Sequence, residues 1–214
     1  MARHVVEGDR VVRERRFESW SPFLLLGRAV AGATLGVVGM GRIGQAVAGR
    51  SLGFGMRVLY TRPSGPLAAE QAPPSARWEF LPELDRLLGE ADIVSLHVPL
   101  AENTHHLIAA RELALMKPGS YLVNTSRGPV VDETALVGSL RAGHLGGAGL
   151  DVYEREPDLA AGLAELDNVV LLPHLGSATV QTRGRMAELA ARNAIAAVRN
   201  EPVRDMVNPE VLRV

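Results

Sequence analysis

The 214-residue chain contains no cysteine. Disulfides, thiol nucleophiles and thiolate metal sites are therefore excluded, and no other metal-ligating pattern stands out. Net charge is also nearly absent, since 23 Lys and Arg face 24 Asp and Glu and leave a formal −1. That removes the general electrostatic attraction to nucleic acid. The richest basic stretch, Arg10 to Arg16, is interrupted by Glu14 and flanked by Asp9 and Glu18, so it reads as a solvated helix or arm. No uninterrupted apolar run is long enough to span a bilayer, the opening MARHVVEGDR lacks the apolar core of a secretory signal, and no repeat occurs at solenoid spacing. The expectation is a soluble cytoplasmic protein without nucleic-acid or membrane partners.

Apolar residues make up 47% of the chain, enough for a sizeable core without covalent staples. From Thr34 onward, short apolar runs rich in β-formers alternate with segments of helical period, the pattern of a parallel sheet covered by helices on both faces. The runs are Leu35 to Gly39, Met56 to Tyr60, Ile93 to Val98, Tyr121 to Asn124, Ala148 to Asp151 and Val169 to Leu172, with a weaker one at Trp78 to Phe80. Strands buried on both faces read as continuous apolar runs, and these do. Helices are expected at Val5 to Arg16, Arg42 to Leu52, around Leu84 to Leu88, at Glu133 to Leu140 with Asp132 as N-cap, and at Thr179 to Arg199. Phe17 to Arg28 reads as an irregular arm and Gly65 to Pro74 as a surface loop.

Gly39-Met-Gly41-Arg-Ile-Gly44 follows the first run directly and opens a helix. In such a fingerprint the first glycine permits a tight turn, and the second lets backbone approach a pyrophosphate. The third lets the helix pack closely on the strand, while the helix N-terminus supplies the anion site. A carboxylate is expected about 20 residues further on, where it would bind a ribose 2′-hydroxyl. Here that place holds Thr61, followed by Arg62. Without a carboxylate to repel a 2′-phosphate, and with an arginine to neutralise one, the pattern favours NADP over NAD.

Three later segments each deliver a polar residue at the carboxyl end of a strand, where open α/β sheets bind ligands. They are VNTSRGP with Arg127, GLDVYEREP with Glu156, and LPHLGSAT with His174. Hydride transfer to a 2-keto acid needs a cation for the carboxylate and a proton donor for the carbonyl. An arginine fork pairs bidentately with a carboxylate, and a histidine titrates near neutrality. A neighbouring carboxylate raises that histidine's basicity and fixes its ring. Arg127, His174 and Glu156 can supply the three roles, although each alone also has a structural explanation as a surface charge, a packed polar group and a helix-start residue.

These motifs, GMGRIGQAVA, HVPLAENTHHLI, VNTSRGPVVDE, GLDVYEREP and LLPHLGSAT, resemble the D-isomer-specific 2-hydroxyacid dehydrogenases across essentially the whole chain. Through VLYTR, DVYEREP and MVNPEV the chain looks most similar to the glyoxylate and hydroxypyruvate reductases of that family. The resemblance implies a doubly wound Rossmann sheet that binds NAD or NADP. Arg127 would hold the substrate carboxylate, His174 would be the acid–base, and Glu156, rather than Glu154, would be its partner. Asp151 would contact the nicotinamide side, backbone at Arg42 and Ile43 would meet the pyrophosphate, and Pro99, Thr104, Thr125, Ser126 and Gly176 would line the cofactor. His4, His97, His105, His106 and His144 match no acid–base position, and His97 reads as a packing residue.

The family has two domains, with the cofactor domain inserted in a substrate domain. On that template residues 1–33 form a crossover helix and dimerisation arm, 34–178 the dinucleotide domain, and 179–214 the return helix and tail of the substrate domain. The template places a further segment of roughly a hundred residues before the opening helix, so the chain alone is expected to bind nucleotide and turn over poorly. It is also expected to form a homodimer through the arm around Trp20. A different class remains open: an NAD(P)-binding regulator or scaffold without turnover. Dehydrogenases of phosphite or 3-phosphoglycerate share the same site pattern.

Overall fold

In the computed structural model, which describes residues 1–212, seven strands form one sheet. They are β1 (Thr34–Val38), β2 (Arg57–Thr61), β3 (Trp78–Phe80), β4 (Ile93–Leu96), β5 (Tyr121–Asn124), β6 (Gly147–Leu150) and β7 (Val169–Leu171). All neighbours are parallel, in the order β3-β2-β1-β4-β5-β6-β7. The chain therefore winds outward from β1 in one direction and from β4 in the other. This is the doubly wound Rossmann arrangement, and its switch point lies between β1 and β4. The register aligns Thr61, Val38, Leu96, Asn124, Leu150 and Leu171 across the sheet. The residues that follow them share one edge.

Strand residues alternate between two apolar layers, because successive side chains point to opposite faces. Leu35, Val37, Val58 and Tyr60 pack on one side with Ala48 and Met56. Val38, Leu59, Val94, Leu96, Leu122, Ala148 and Leu150 pack on the other with Leu87, Leu113 and Leu136. Both faces are thus covered, which accounts for the continuous apolar runs.

The helices are α1 (Val5–Arg13), α2 (Arg42–Ser51), α3 (Leu84–Glu90), α4 (Ala110–Leu115), α5 (Glu133–Arg141) and α6 (Val180–Val198). The sequence expectation for α1 ran to Arg16, but the helix stops at Arg13. Arg15 takes a left-handed conformation, and the amides of Arg15 and Arg16 bond back to Val12 and Val11 carbonyls at 3.0 and 2.9 Å, a Schellman stop. The six-residue α4 was not foreseen, being too short to show a helical period. Asp132 caps α5 as expected, accepting from Ala135 N at 2.9 Å. At the opposite edge of the sheet Asp92 accepts from Thr34 N and from Lys117 Nζ, both at 2.8 Å, and so ties the start of β1 to the loop before β5.

The chain divides into two compact units, Met1–Pro173 and His174–Val214. Residues 213 and 214, at the end of the expected C-terminal tail, lie outside the described residues. Within the second unit Thr179 caps α6, its hydroxyl accepting from Thr182 N at 3.0 Å. No helix among the described residues is long and apolar enough to cross a membrane.

Candidate functional site

The turn after β1 is built around its glycines. Gly39 has φ +97°, and a Cβ there would lie 2.7 Å from the His97 carbonyl oxygen. Its amide donates to Thr61 O at 3.0 Å, so the ends of β1 and β2 are pinned together. A Cβ on Gly44 would lie 2.3 Å from Gly39 O and 3.1 Å from a Val37 methyl, so α2 can reach the strand only without one. Gly41 is different. Its φ is −81°, and a Cβ would meet nothing within 4 Å. The space such a Cβ would enter lies at the N-terminus of the ten-residue α2, which no side chain caps. Amides pointing into open space at a helix N-terminus make an anion site, so these residues fit a dinucleotide pyrophosphate.

That space continues into a cleft of about 950 Å³ at the switch point, lined by Gly41, Arg42, Ile43, Pro99, Thr125, Ser126 and Arg127 among others. Seven of the residues singled out in the sequence are therefore brought to one cavity. Others sit outside its lining. Thr61 ends β2, and Arg62 next to it donates from Nε to Ser64 Oγ at 2.6 Å. The Thr104 hydroxyl accepts from Ala101 N at 2.8 Å and donates to Pro99 O at 2.6 Å, which folds the loop after β4. Asp151 is buried at the end of β6, its amide bonded to Asn124 O at 3.0 Å.

The Arg127 loop is organised by a residue that sequence reasoning passed over. The buried Asn124 carboxamide accepts from Ser126 N and Oγ at 3.0 and 2.8 Å and donates to Arg127 O at 2.9 Å. Arg127 itself is exposed and bonds Ser126 O through Nη1 at 2.7 Å. Directly after it, a Cβ on Gly128 would fall 1.8 Å from the Tyr153 carbonyl, so the loops after β5 and β6 touch backbone to backbone.

In the second of these loops the Glu156 carboxylate accepts from Tyr153 N at 3.1 Å, and the Tyr153 hydroxyl donates to Leu172 O at 2.9 Å. Glu154 faces elsewhere: its carboxylate pairs with His106 Nε2 and accepts from Glu133 N at 3.4 Å. His174 opens the second unit. It has φ +53°, an exposed side chain, and a carbonyl that accepts from Arg183 Nη2 at 3.4 Å. Gly176 follows, in a turn closed by Ala178 N donating to Leu175 O at 2.8 Å.

His97 also lines the cleft, although its sequence context suggested only packing. Burial pushes its pKa down, and Nε2 lies 3.0 Å from Ser95 Oγ. The ring is therefore neutral at pH 7. Its place at the end of β4, two residues after an inward-facing serine, was the available signal. Among the described residues no cluster of three or more His, Asp or Glu side chains could hold a metal ion.

Comparison with known proteins follows the same lines. Residues 1–176 match the model of the D-isomer-specific 2-hydroxyacid dehydrogenase NAD-binding domain. A glyoxylate reductase of Korarchaeum cryptofilum is 51% identical over the whole chain, which spans 64% of that relative's length. The TT0316 protein of Thermus thermophilus superposes with a TM-score of 0.86 at 49% identity, over 96% of this chain and 63% of its own. A glyoxylate reductase of Paecilomyes thermophila superposes at 0.85 with 36% identity, over 98% of this chain and 61% of its own. The sheet order, the glycine turn and these matches together make the chain a member of the D-isomer-specific 2-hydroxyacid dehydrogenase family, bearing its NAD-binding domain.

Proposed function

We propose that the protein reduces a small 2-keto acid, such as glyoxylate or hydroxypyruvate, to the D-2-hydroxy acid with NADPH or NADH. The observation that carries this reading is the continuity of one cleft from the uncapped helix N-terminus at Gly41 to Arg127. A nucleotide site and a carboxylate-binding cation share that cavity. A bound nicotinamide cofactor supplies the hydride. Arg127 pairs with the substrate carboxylate and so orients the keto group. His174 donates a proton to the carbonyl oxygen in reduction and takes it back in oxidation. Glu156 is the carboxylate assigned to support His174, and the commitment of Glu154 to His106 and Glu133 favours that choice. Arg42 and Ile43 meet the pyrophosphate, Pro99, Thr104, Thr125, Ser126 and Gly176 take the cofactor-lining roles, and Asp151 contacts the nicotinamide side.

NADP is favoured over NAD because Thr61 ends β2 where a carboxylate would otherwise stand, with Arg62 directly after it. The domain division proposed is residues 1–33 as crossover and arm, 34–178 as dinucleotide domain, and 179–214 as return segment. Trp20 and Phe23 are 79% and 80% exposed, and a homodimer formed through that arm would cover them. The proposed setting is the cytoplasm.

Oxidation of NADPH by glyoxylate and by hydroxypyruvate tests the reading. Arg127→Gln should lower kcat/KM by roughly 10²-fold or more, since an uncompensated carboxylate loses its charged hydrogen bonds. His174→Gln should lower kcat by roughly 10²- to 10⁴-fold with nucleotide affinity retained. Absence of turnover with both acids, or wild-type turnover in both variants, contradicts it.

A further inference from the structure

Glu133 is only 3% exposed. Carboxylates are rarely buried so deeply unless partnered, and this one stands in the first turn of α5, where apolar neighbours fill the core. Burial pushes its carboxyl above the ordinary glutamate range, and the charges of Glu154 and Glu156 push it further. The fold thus bears a cost at this position, and the hydrogen bonds made there indicate what the carboxylate does.

It accepts from Glu154 N at 2.9 Å, and the Ala160 amide also acts on it electrostatically. These two amides bracket Glu156. Between them Asp158 N bonds Arg155 O at 2.7 Å, closing the turn on which Glu156 sits. The arrangement is reciprocal, because the Glu154 carboxylate accepts from Glu133 N and pairs with His106 Nε2. His106 in turn donates its own amide to Pro129 O at 2.8 Å, two residues beyond Arg127. Three loops at the carboxyl edge, after β4, β5 and β6, are thereby tied by one set of polar side chains. An apolar residue at position 133 could serve the core, but it would leave the Glu154 amide without this acceptor.

We propose that Glu133, acting with Glu154 and His106, is a positioning residue that holds the 154–160 segment and so sets where Glu156 stands relative to the Arg127 loop. The proposal rests on the reading that Glu156 takes part in the reaction, and it adds residues that need not touch substrate or cofactor.

The test compares Glu133→Ala, Glu133→Gln and Glu156→Gln by amide hydrogen exchange and by glyoxylate reduction. In Glu133→Ala, amides of residues 154–160 should exchange roughly tenfold faster, as expected for one or two lost hydrogen bonds, while β5 and β6 keep their protection. In the same variant kcat should fall roughly 10- to 100-fold, the scale of a misplaced group, with KM and NADPH affinity within about twofold. The glutamine keeps an acceptor oxygen, so it should recover most of both losses. If Glu133→Ala fails to fold, His106→Gln gives the same readouts with a smaller expected effect. Unchanged exchange at 154–160 in both variants overturns the proposal, as does a uniform rise in exchange over the whole sheet. A silent Glu156→Gln sinks the role of Glu156 in the reaction, whereas the exchange pattern of Glu133→Ala judges the loop lock independently.

Discussion

At the glycine turn, backbone geometry does the positioning: Gly39 and Gly44 are in place because a Cβ would strike the His97 and Gly39 carbonyls. At the loops after β5 and β6, a close backbone approach at Gly128 is joined by side chains: Asn124, Glu133 and Glu154 bond backbone groups, and His106 pairs with Glu154. One end of the cleft is made by what its residues lack, and the other by polar groups that the fold has to bury. At Gly39 and Gly44 the first kind of construction tolerates no added atom. The second tolerates substitutions that preserve an acceptor.

Substitution at the turn offers the largest way to break this contrast. Gly44→Ala should destabilise the fold by about 3 kcal/mol, the upper range for forcing an atom into a packed site, because the atom in its way is backbone. Gly41→Ala should leave the melting temperature unchanged, since its Cβ meets nothing, yet weaken nucleotide binding by about tenfold, or 1.4 kcal/mol. Thermal melts and nucleotide titrations on the two variants check the pair, and equal effects at both positions would erase the distinction between packing glycine and approach glycine.

A smaller effect sharpens the other side. The Glu133 pKa is raised in the folded protein. Its neutral form therefore contributes stability below the unfolded value, near 4.3, and that contribution is lost as pH rises through the folded value. Glu133→Gln removes the loss. Its melting temperature should exceed that of the wild type by roughly 2 °C at pH 7, with the gap closing near pH 4. A gap of opposite sign would mean that the charged carboxylate stabilises the loops.

The contrast also explains how much was legible in the sequence. Gly39, Gly41 and Gly44 are close in sequence and follow a strand, so their motif carries the geometry with it. The strands were legible because burial on both faces leaves runs such as Leu35 to Val38 and Ile93 to Leu96 wholly apolar or nearly so. The end of α1 was not, because a left-handed Arg15 leaves no compositional mark. The lock between Glu133, Glu154 and His106 was not either. Its partners lie 21 and 48 residues apart, and only the folded sheet edge brings them together. His97 was read as packing because one residue at a strand end does not reveal which cavity it borders.

The central claim is that the open helix N-terminus at Gly41 and the cleft beyond it form a nicotinamide dinucleotide site. Calorimetric titration of the protein with NADPH and with NADH tests it most directly. Saturable binding is expected, with NADPH tighter by roughly tenfold through charged contacts at Arg62. Binding of neither nucleotide by a folded protein would contradict it.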